Sequence, residues 1–136
     1  MVVDSSALVS ILLKAPGFEE LRRALVDASP RLISPVSVLE ALMVLKSRKG
    51  ETGLRELDWF LLRADLQVVP LDRAQLEYAR HGWLLYGKGN HPAKLNLGDC
   101  CTYALVKTSR QQLLCVGGDF SRTDIAGQIV TAAGQA

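Results

Sequence analysis

The chain predicts an α/β domain with a central parallel β-sheet flanked by helices, and three observations carry that expectation. Short aliphatic runs alternate with longer segments of helical period along the whole length. The runs are separated by segments long enough for crossover helices, which parallel strands require. Capping and breaking residues, among them Pro16-Gly17, Ser34-Pro35, Gly50 and Gly117-Gly118, stand at the junctions.

Taken in order, residues 1–4 read as a short buried strand and 5–13 as a helix ended by Pro16-Gly17. Phe18, Leu21, Leu25 and Val26 mark an amphipathic helix through about residue 28. Arg31 to Ser34 reads as a second strand. Ser34 as N-cap with Pro35 at the first helical position opens a helix that runs to Lys49, where Gly50 closes it. Residues 54–64 form a further helix, and 66–71 a third strand. Asp72-Arg73-Ala74-Gln75 has the form of a capping box and opens a helix to about Tyr86. Residues 87–95 are a loop, Asn96 caps the helix that follows, and 113–116 form a fourth strand. A short fifth strand is expected around 128–131.

The 136 residues suffice for one domain with a real core, expected to span 1–136. Net charge is only +2, so affinity for an anionic partner has to come from local patches. Cys100, Cys101 and Cys115 form no CxxC pair, which argues against a disulfide framework or a zinc site and for buried reduced thiols. The N-terminal apolar stretch lacks a basic region and is interrupted by an acid, so it is a poor signal peptide. No run reaches transmembrane length. No membrane association is expected, and the expected location is the cytoplasm.

Three carboxylates stand in apolar segments: Asp4 in MVVDSSALVSILL, Glu40 in PVSVLEALMVL and Asp99 in LNLGDCCTYALV. An unpaired ionised carboxylate in an apolar interior is costly, so three of them point to a shared cation. Each has a bland alternative. Asp4 can cap the helix beginning at Ser5. Asp99 lies near a helix start, where the macrodipole tolerates an anion. Glu40 is harder to dismiss, because Val36, Met43 and Val44 lie one turn away and no basic neighbour does. Asp119, on a Gly-Gly loop after the fourth strand, joins the set if the first and fourth strands are neighbours where strand order reverses. Oxygen-only donors suit magnesium or manganese. Two such ions, or one ion and a base, serve phosphoryl transfer.

With MVVDSSALVSILL at the start, a glutamate inside an apolar helix at position 40, LNLGDCCTYALV and GGDFSRTDI, the chain resembles the PIN-domain ribonucleases. It is most similar to VapC-type toxins of toxin–antitoxin pairs. The likeness covers essentially the whole length. It implies a single PIN-like domain and a Mg2+- or Mn2+-dependent endoribonuclease held inactive by a VapB-type antitoxin. It also implies a homodimer. Asp4, Glu40, Asp99 and Asp119 match the family's acidic positions, with Asp4 and Asp99 as the principal metal ligands. Ser6 matches a supporting hydroxyl and Asp124 an additional acid.

Lys88 and Lys94, in the loop before Asp99, and Arg122 beside Asp119 are candidate RNA-phosphate contacts. His81 and His91 lack metal-ligand spacing. Trp83, Tyr86, Trp59 and Phe60 read as core or interface packing. The helices after Pro35 and Gly53 carry more apolar positions than one sheet face covers, which suits an antitoxin groove or a dimer contact. Two alternatives are a catalytically silent PIN-like binding module and a phospho-acceptor receiver domain using Asp72. Asp72 is fully explained as an N-cap, and no lysine follows a late strand. No GxxxxGK[ST] phosphate loop exists.

Overall fold

The computed structural model describes residues 1–133. Five strands, β1 (Val2–Val3), β2 (Leu32–Ile33), β3 (Gln67–Val68), β4 (Leu113–Leu114) and β5 (Ile129–Val130), form one all-parallel sheet in the order β3-β2-β1-β4-β5. Helices α1 (Ser5–Leu12), α2 (Phe18–Val26), α3 (Pro35–Arg63), α4 (Arg73–Tyr86) and α5 (Leu97–Ser109) cover it, with a 3-10 turn at Ala126–Gln128. The last three positions of the expected 1–136 domain lie outside the described residues.

The two-residue repeat of a strand divides the interior in two. Val2, Leu32 and Leu113 are in register across β2, β1 and β4 and pack with Leu95, Tyr103, Leu105 and Phe120. Val3, Ile33 and Leu114 turn the other way and pack with Leu8, Leu21, Leu45 and Leu57 of α1, α2 and α3. Helix α5 is buried without interruption from Gly98 to Val106. That explains why its sequence reads as an apolar run and not as one stripe.

Each strand is shorter than the aliphatic run that signals it. Pairing extends over two residues per strand, and the flanking positions belong to turns and caps. Both residues of β3 are exposed, as suits an edge strand, and Pro70 just beyond it cannot donate to a ladder. The break at Gly50 occurs as expected: its φ of 61° and ψ of −144° are non-helical. Helical geometry resumes at once, so the helix expected from residue 54 begins directly after the break, within α3. Ion pairs Lys46–Glu51 and Lys49–Glu56 span the break. The capping box at Asp72 is half formed. Its carboxylate accepts from Gln75 N–H at 2.9 Å, but the Gln75 amide donates to Pro70 O instead of reaching back. Arg31 accepts from Gln67 N–H at 2.8 Å through its carbonyl at the edge of the sheet, while its side chain caps helix ends. Its guanidinium donates to Val26 O, Ala28 O and Ala64 O at 2.7–3.0 Å, joining the ends of α2 and α3.

Helix α4 lies close against α5 because Gly82 presents no side chain. A Cβ there would stand 2.6 Å from Cδ1 of the buried Tyr103 ring. Gly82→Ala is expected to destabilise the fold by about 1–3 kcal/mol through overpacking. The measurement is a lowered midpoint in urea with an unchanged slope; an unshifted midpoint would contradict the packing described.

Candidate functional site

Strand order reverses between β1 and β4, and the crevice at their carboxyl ends collects the acids. Asp4 follows β1 directly and is 5 % exposed. Its backbone N–H donates to Leu114 O at 2.9 Å, fixing it to the end of β4. The carboxylate caps α1 as the sequence suggests, and it does more. Oδ2 accepts from Ser6 N–H at 3.0 Å and from the Ser6 hydroxyl at 2.6 Å. Oδ1 accepts from the Thr102 hydroxyl at 2.9 Å. Ser6 Oγ in turn accepts from Val116 N–H at 3.0 Å, which ties α1 to the start of the loop carrying Asp119.

Asp99 is 8 % exposed. It sits at the third position of α5 in a complete capping box: Asn96 Oδ1 accepts from Asp99 N–H at 2.9 Å, and Asp99 Oδ2 accepts from Asn96 N–H at 3.1 Å. The helix-start reading is therefore also true, yet it does not relieve the charge. Burial, with added repulsion from Asp4, Asp119 and Glu40, pushes this carboxyl up to about 7 against the Asn96 hydrogen bond. Glu40 is half-buried in α3, and its Oε1 accepts from Ser5 Oγ at 3.3 Å. Burial first, and then the charge of Asp4, raise its pKa.

Glycine admits Glu40 to the start of α5. A Cβ at Gly98 would stand 2.2 Å from Glu40 Oε1 and 2.5 Å from Oε2. Asp119 is exposed on the loop after β4, and its charge reaches Asp99. The Cys115 thiol, buried at the end of β4, is pushed up to about 12 by burial and then by Asp4, Asp119 and Asp99. That surrounds the thiol with acids and leaves it a poor nucleophile. Among the described residues none of the four acids forms an ion pair.

Asp124 has a different neighbourhood. It pairs with Lys107 of α5 at 2.8 Å, and the repulsion felt by Asp99 comes from the other three acids. The buried Tyr103 hydroxyl, beside the same carboxylate, makes no hydrogen bond of good geometry. Lys94, Arg122 and Asp119 line one surface depression with Ser121. Lys88 lines an adjacent one on the 87–95 loop. His81 is exposed, and His91 is turned inward, its Nδ1 accepting from Ala93 N–H at 3.0 Å. Trp59 and Trp83 are exposed, whereas Tyr86 packs on Tyr103. Asp72 caps α4 beyond the edge strand β3, two strands from the reversal, which removes it as a receiver's acceptor.

Hard oxygen donors that repel one another fit a hard divalent cation. Among the described residues no three His, Cys, Asp or Glu side chains are arranged to hold a metal ion by themselves. Magnesium in general takes one or two protein carboxylates and completes its shell with water and phosphate oxygen. Sequence reasoning did not single out Ser5, Ser37, Gly98 or Thr102. A signal was present: Ser37 lies three residues before Glu40 and Thr102 three after Asp99, hydroxyls one helical turn from an acid in apolar helices.

The PIN domain family matches residues 1–126. The chain is 48% identical over 126 residues to "Ribonuclease VapC" of Mycolicibacterium smegmatis, covering 93% of this chain and 98% of that one. It is 46% identical to "Ribonuclease VapC30" of Mycobacterium tuberculosis, covering 93% and 96%. Two crystal structures share the fold at 19% identity. One is VapC20 of Mycobacterium tuberculosis, described as a sarcin-ricin loop cleaving toxin, with a TM-score of 0.70 over 88% of this chain and 92% of that one. The other is VapBC2 of Rickettsia felis bound to a DNA fragment from its promoter, with a TM-score of 0.75 over 96% and 97%.

The raised carboxyl of Asp99 has a consequence for stability without added metal. Its folded pKa of about 7 exceeds the unfolded value, so the folded state binds the extra proton. Its destabilising effect grows as pH rises from about 3.9 towards 7 and is complete above that. In chelator, the stability of Asp99→Asn relative to the unsubstituted protein is expected to increase across that window. Parallel melting-temperature profiles for the two would contradict the assigned repulsion.

Proposed function

This chain belongs to the PIN-domain family, and from that membership and its acidic site we propose that it is a VapC-type ribonuclease. In this reading it is the toxin of a toxin–antitoxin pair and hydrolyses RNA phosphodiester bonds with Mg2+ or Mn2+. The observation that carries the reading is the meeting of Asp4, Glu40, Asp99 and Asp119 at the β1–β4 reversal, close enough to raise the Asp99 carboxyl and, among the described residues, with none of the four in an ion pair.

Asp4 and Asp99, fixed at the end of β1 and the start of α5, are the residues that would hold the ion. A bound divalent cation supplies charge stabilisation at the phosphate and a more acidic water. Asp119, on the Gly117-Gly118 loop after β4, assists directly or through water. Glu40 orients the attacking water and takes its proton, a role that its raised pKa suits. Ser6 supports Asp4, and the Lys107–Asp124 pair anchors the loop of Asp119 to α5. Lys94 and Arg122 flank Asp119 where they can hold the phosphates on either side of the cut, with Lys88 further out.

Two apolar surfaces support a VapB-type antitoxin and a homodimer as partners. An open groove of about 770 Å³ runs between α1, α2 and the second half of α3. Ile11, Leu12, Phe18, Trp59 and Phe60 line it, and charged residues of both signs form its rim. Its shape suits an antitoxin segment. Leu39 and Met43 of α3, Trp83 of α4 and Leu97 are exposed, and exposed apolar side chains of this kind suit contact with a second copy. Among the described residues no helix is long and apolar enough to cross a membrane. The cytoplasm is the proposed location.

Asp4→Asn or Asp99→Asn is expected to abolish Mg2+-dependent RNA cleavage while leaving the circular dichroism spectrum unchanged. Undiminished cleavage by either purified variant would refute the assignment. Gly98→Ala should displace Glu40 and cost on the order of 10²-fold in cleavage rate. A rate within threefold of the parent, roughly the spread expected of a neutral change, would show that Glu40 does not need that seat.

A further inference from the structure

Two buried hydroxyls outside the acid set touch the site from behind. Thr102 and Ser37 are both 0 % exposed. Thr102 Oγ1 lies 2.9 Å from Asp4 Oδ1, and Ser37 Oγ lies 3.1 Å from Thr102 Oγ1. An ionised carboxylate only accepts, so the Thr102 proton must go to Asp4. A hydroxyl has one proton, so Ser37 must donate to Thr102. The chain of donation runs in one direction, Ser37 to Thr102 to Asp4. It also links three elements: α3, which carries Glu40; α5, which carries Asp99; and the end of β1.

Counting acceptor capacity adds a choice between oxygens. A carboxylate oxygen offers about two lone-pair sites. Asp4 Oδ2 spends both on Ser6 N–H and Ser6 Oγ–H. Oδ1 spends one on Thr102. The oxygen with capacity left for a cation is therefore Oδ1, the one Thr102 touches.

We propose that Thr102, itself oriented by Ser37, is a positioning residue for cation binding that aims Oδ1 of Asp4 at the metal. The inference rests on the reading of Asp4 as a metal ligand made above. Thr102→Val keeps the branched shape and removes the donor, leaving Oδ1 without the hydrogen bond that sets its direction. Thr102→Ser keeps the donor.

The test is Mn2+ titration of the full chain by isothermal calorimetry in the absence of RNA, with melting temperatures measured alongside. Thr102→Val is expected to bind Mn2+ some 10–100-fold more weakly, the range found when an outer-shell partner of a metal ligand is lost. Thr102→Ser should return to within about threefold of the parent, and Ser37→Ala should fall between the two. The double variant Ser37→Ala/Thr102→Val leaves neither hydroxyl stranded. It should melt no lower than Thr102→Val yet remain weak for Mn2+. Parent-like affinity in Thr102→Val, or no recovery in Thr102→Ser, overturns the proposal alone. A parent chain that does not bind Mn2+, or an Asp4→Asn chain that binds it undiminished, overturns the metal-ligand reading and the proposal with it.

Discussion

Mutual repulsion among carboxylates at the end of a parallel sheet organises this molecule. The acids are held by donors that carry no charge: a backbone N–H and a hydroxyl from Ser6, a hydroxyl from Thr102, one from Ser5 and a backbone N–H from Asn96. Such donors fix orientation without cancelling charge. A lysine or arginine in their place would have satisfied the acids and ended their use as cation ligands. The site is thus built to remain electrostatically unsatisfied, and the fold bears that cost through the buried apolar surface on both faces of the sheet.

Topology supplies the convergence. With β1 and β4 adjacent, crossovers leave on opposite sides, and the residues after each strand face one crevice. Asp4 ends β1. Val116, bonded to Ser6, begins the loop to Asp119. Helices α3 and α5 bring Glu40 and Asp99 to the same place, and the absence of a side chain at Gly98 lets them meet. Asp4 is the N-cap of α1 and Asp99 closes the capping box of Asn96, so each has a local use beside its place in the site. The reading of Asp4 as a plain N-cap is correct and incomplete.

Much of this was legible in the chain because the signals are local. Ser34-Pro35, Asn96 with Asp99, and the Gly50 break are decided within a few residues, and each acts where expected. The alternation of aliphatic runs with helices marks the sheet class, and the acids stand out by their apolar surroundings, in the order that the family resemblance matches. What escaped depends on long-range contact. Thr102 meets Asp4 across 98 positions and Ser37 across 65, so neither hydroxyl announces its partner. Strand lengths were overread because an aliphatic run marks burial, whereas pairing is limited by where caps and turns intervene. The commitment of Asp124 to Lys107 likewise depends on how the last loop lies on α5.

The central claim is that the carboxylates at the β1–β4 reversal hold a divalent cation. A crystal of the protein soaked in Mn2+ and measured for anomalous scattering tests it most directly. The account expects an anomalous peak within coordination distance of Oδ1 of Asp4 and of the Asp99 carboxylate. A well-occupied manganese elsewhere, with Asp4 and Asp99 left without an ion, would contradict it.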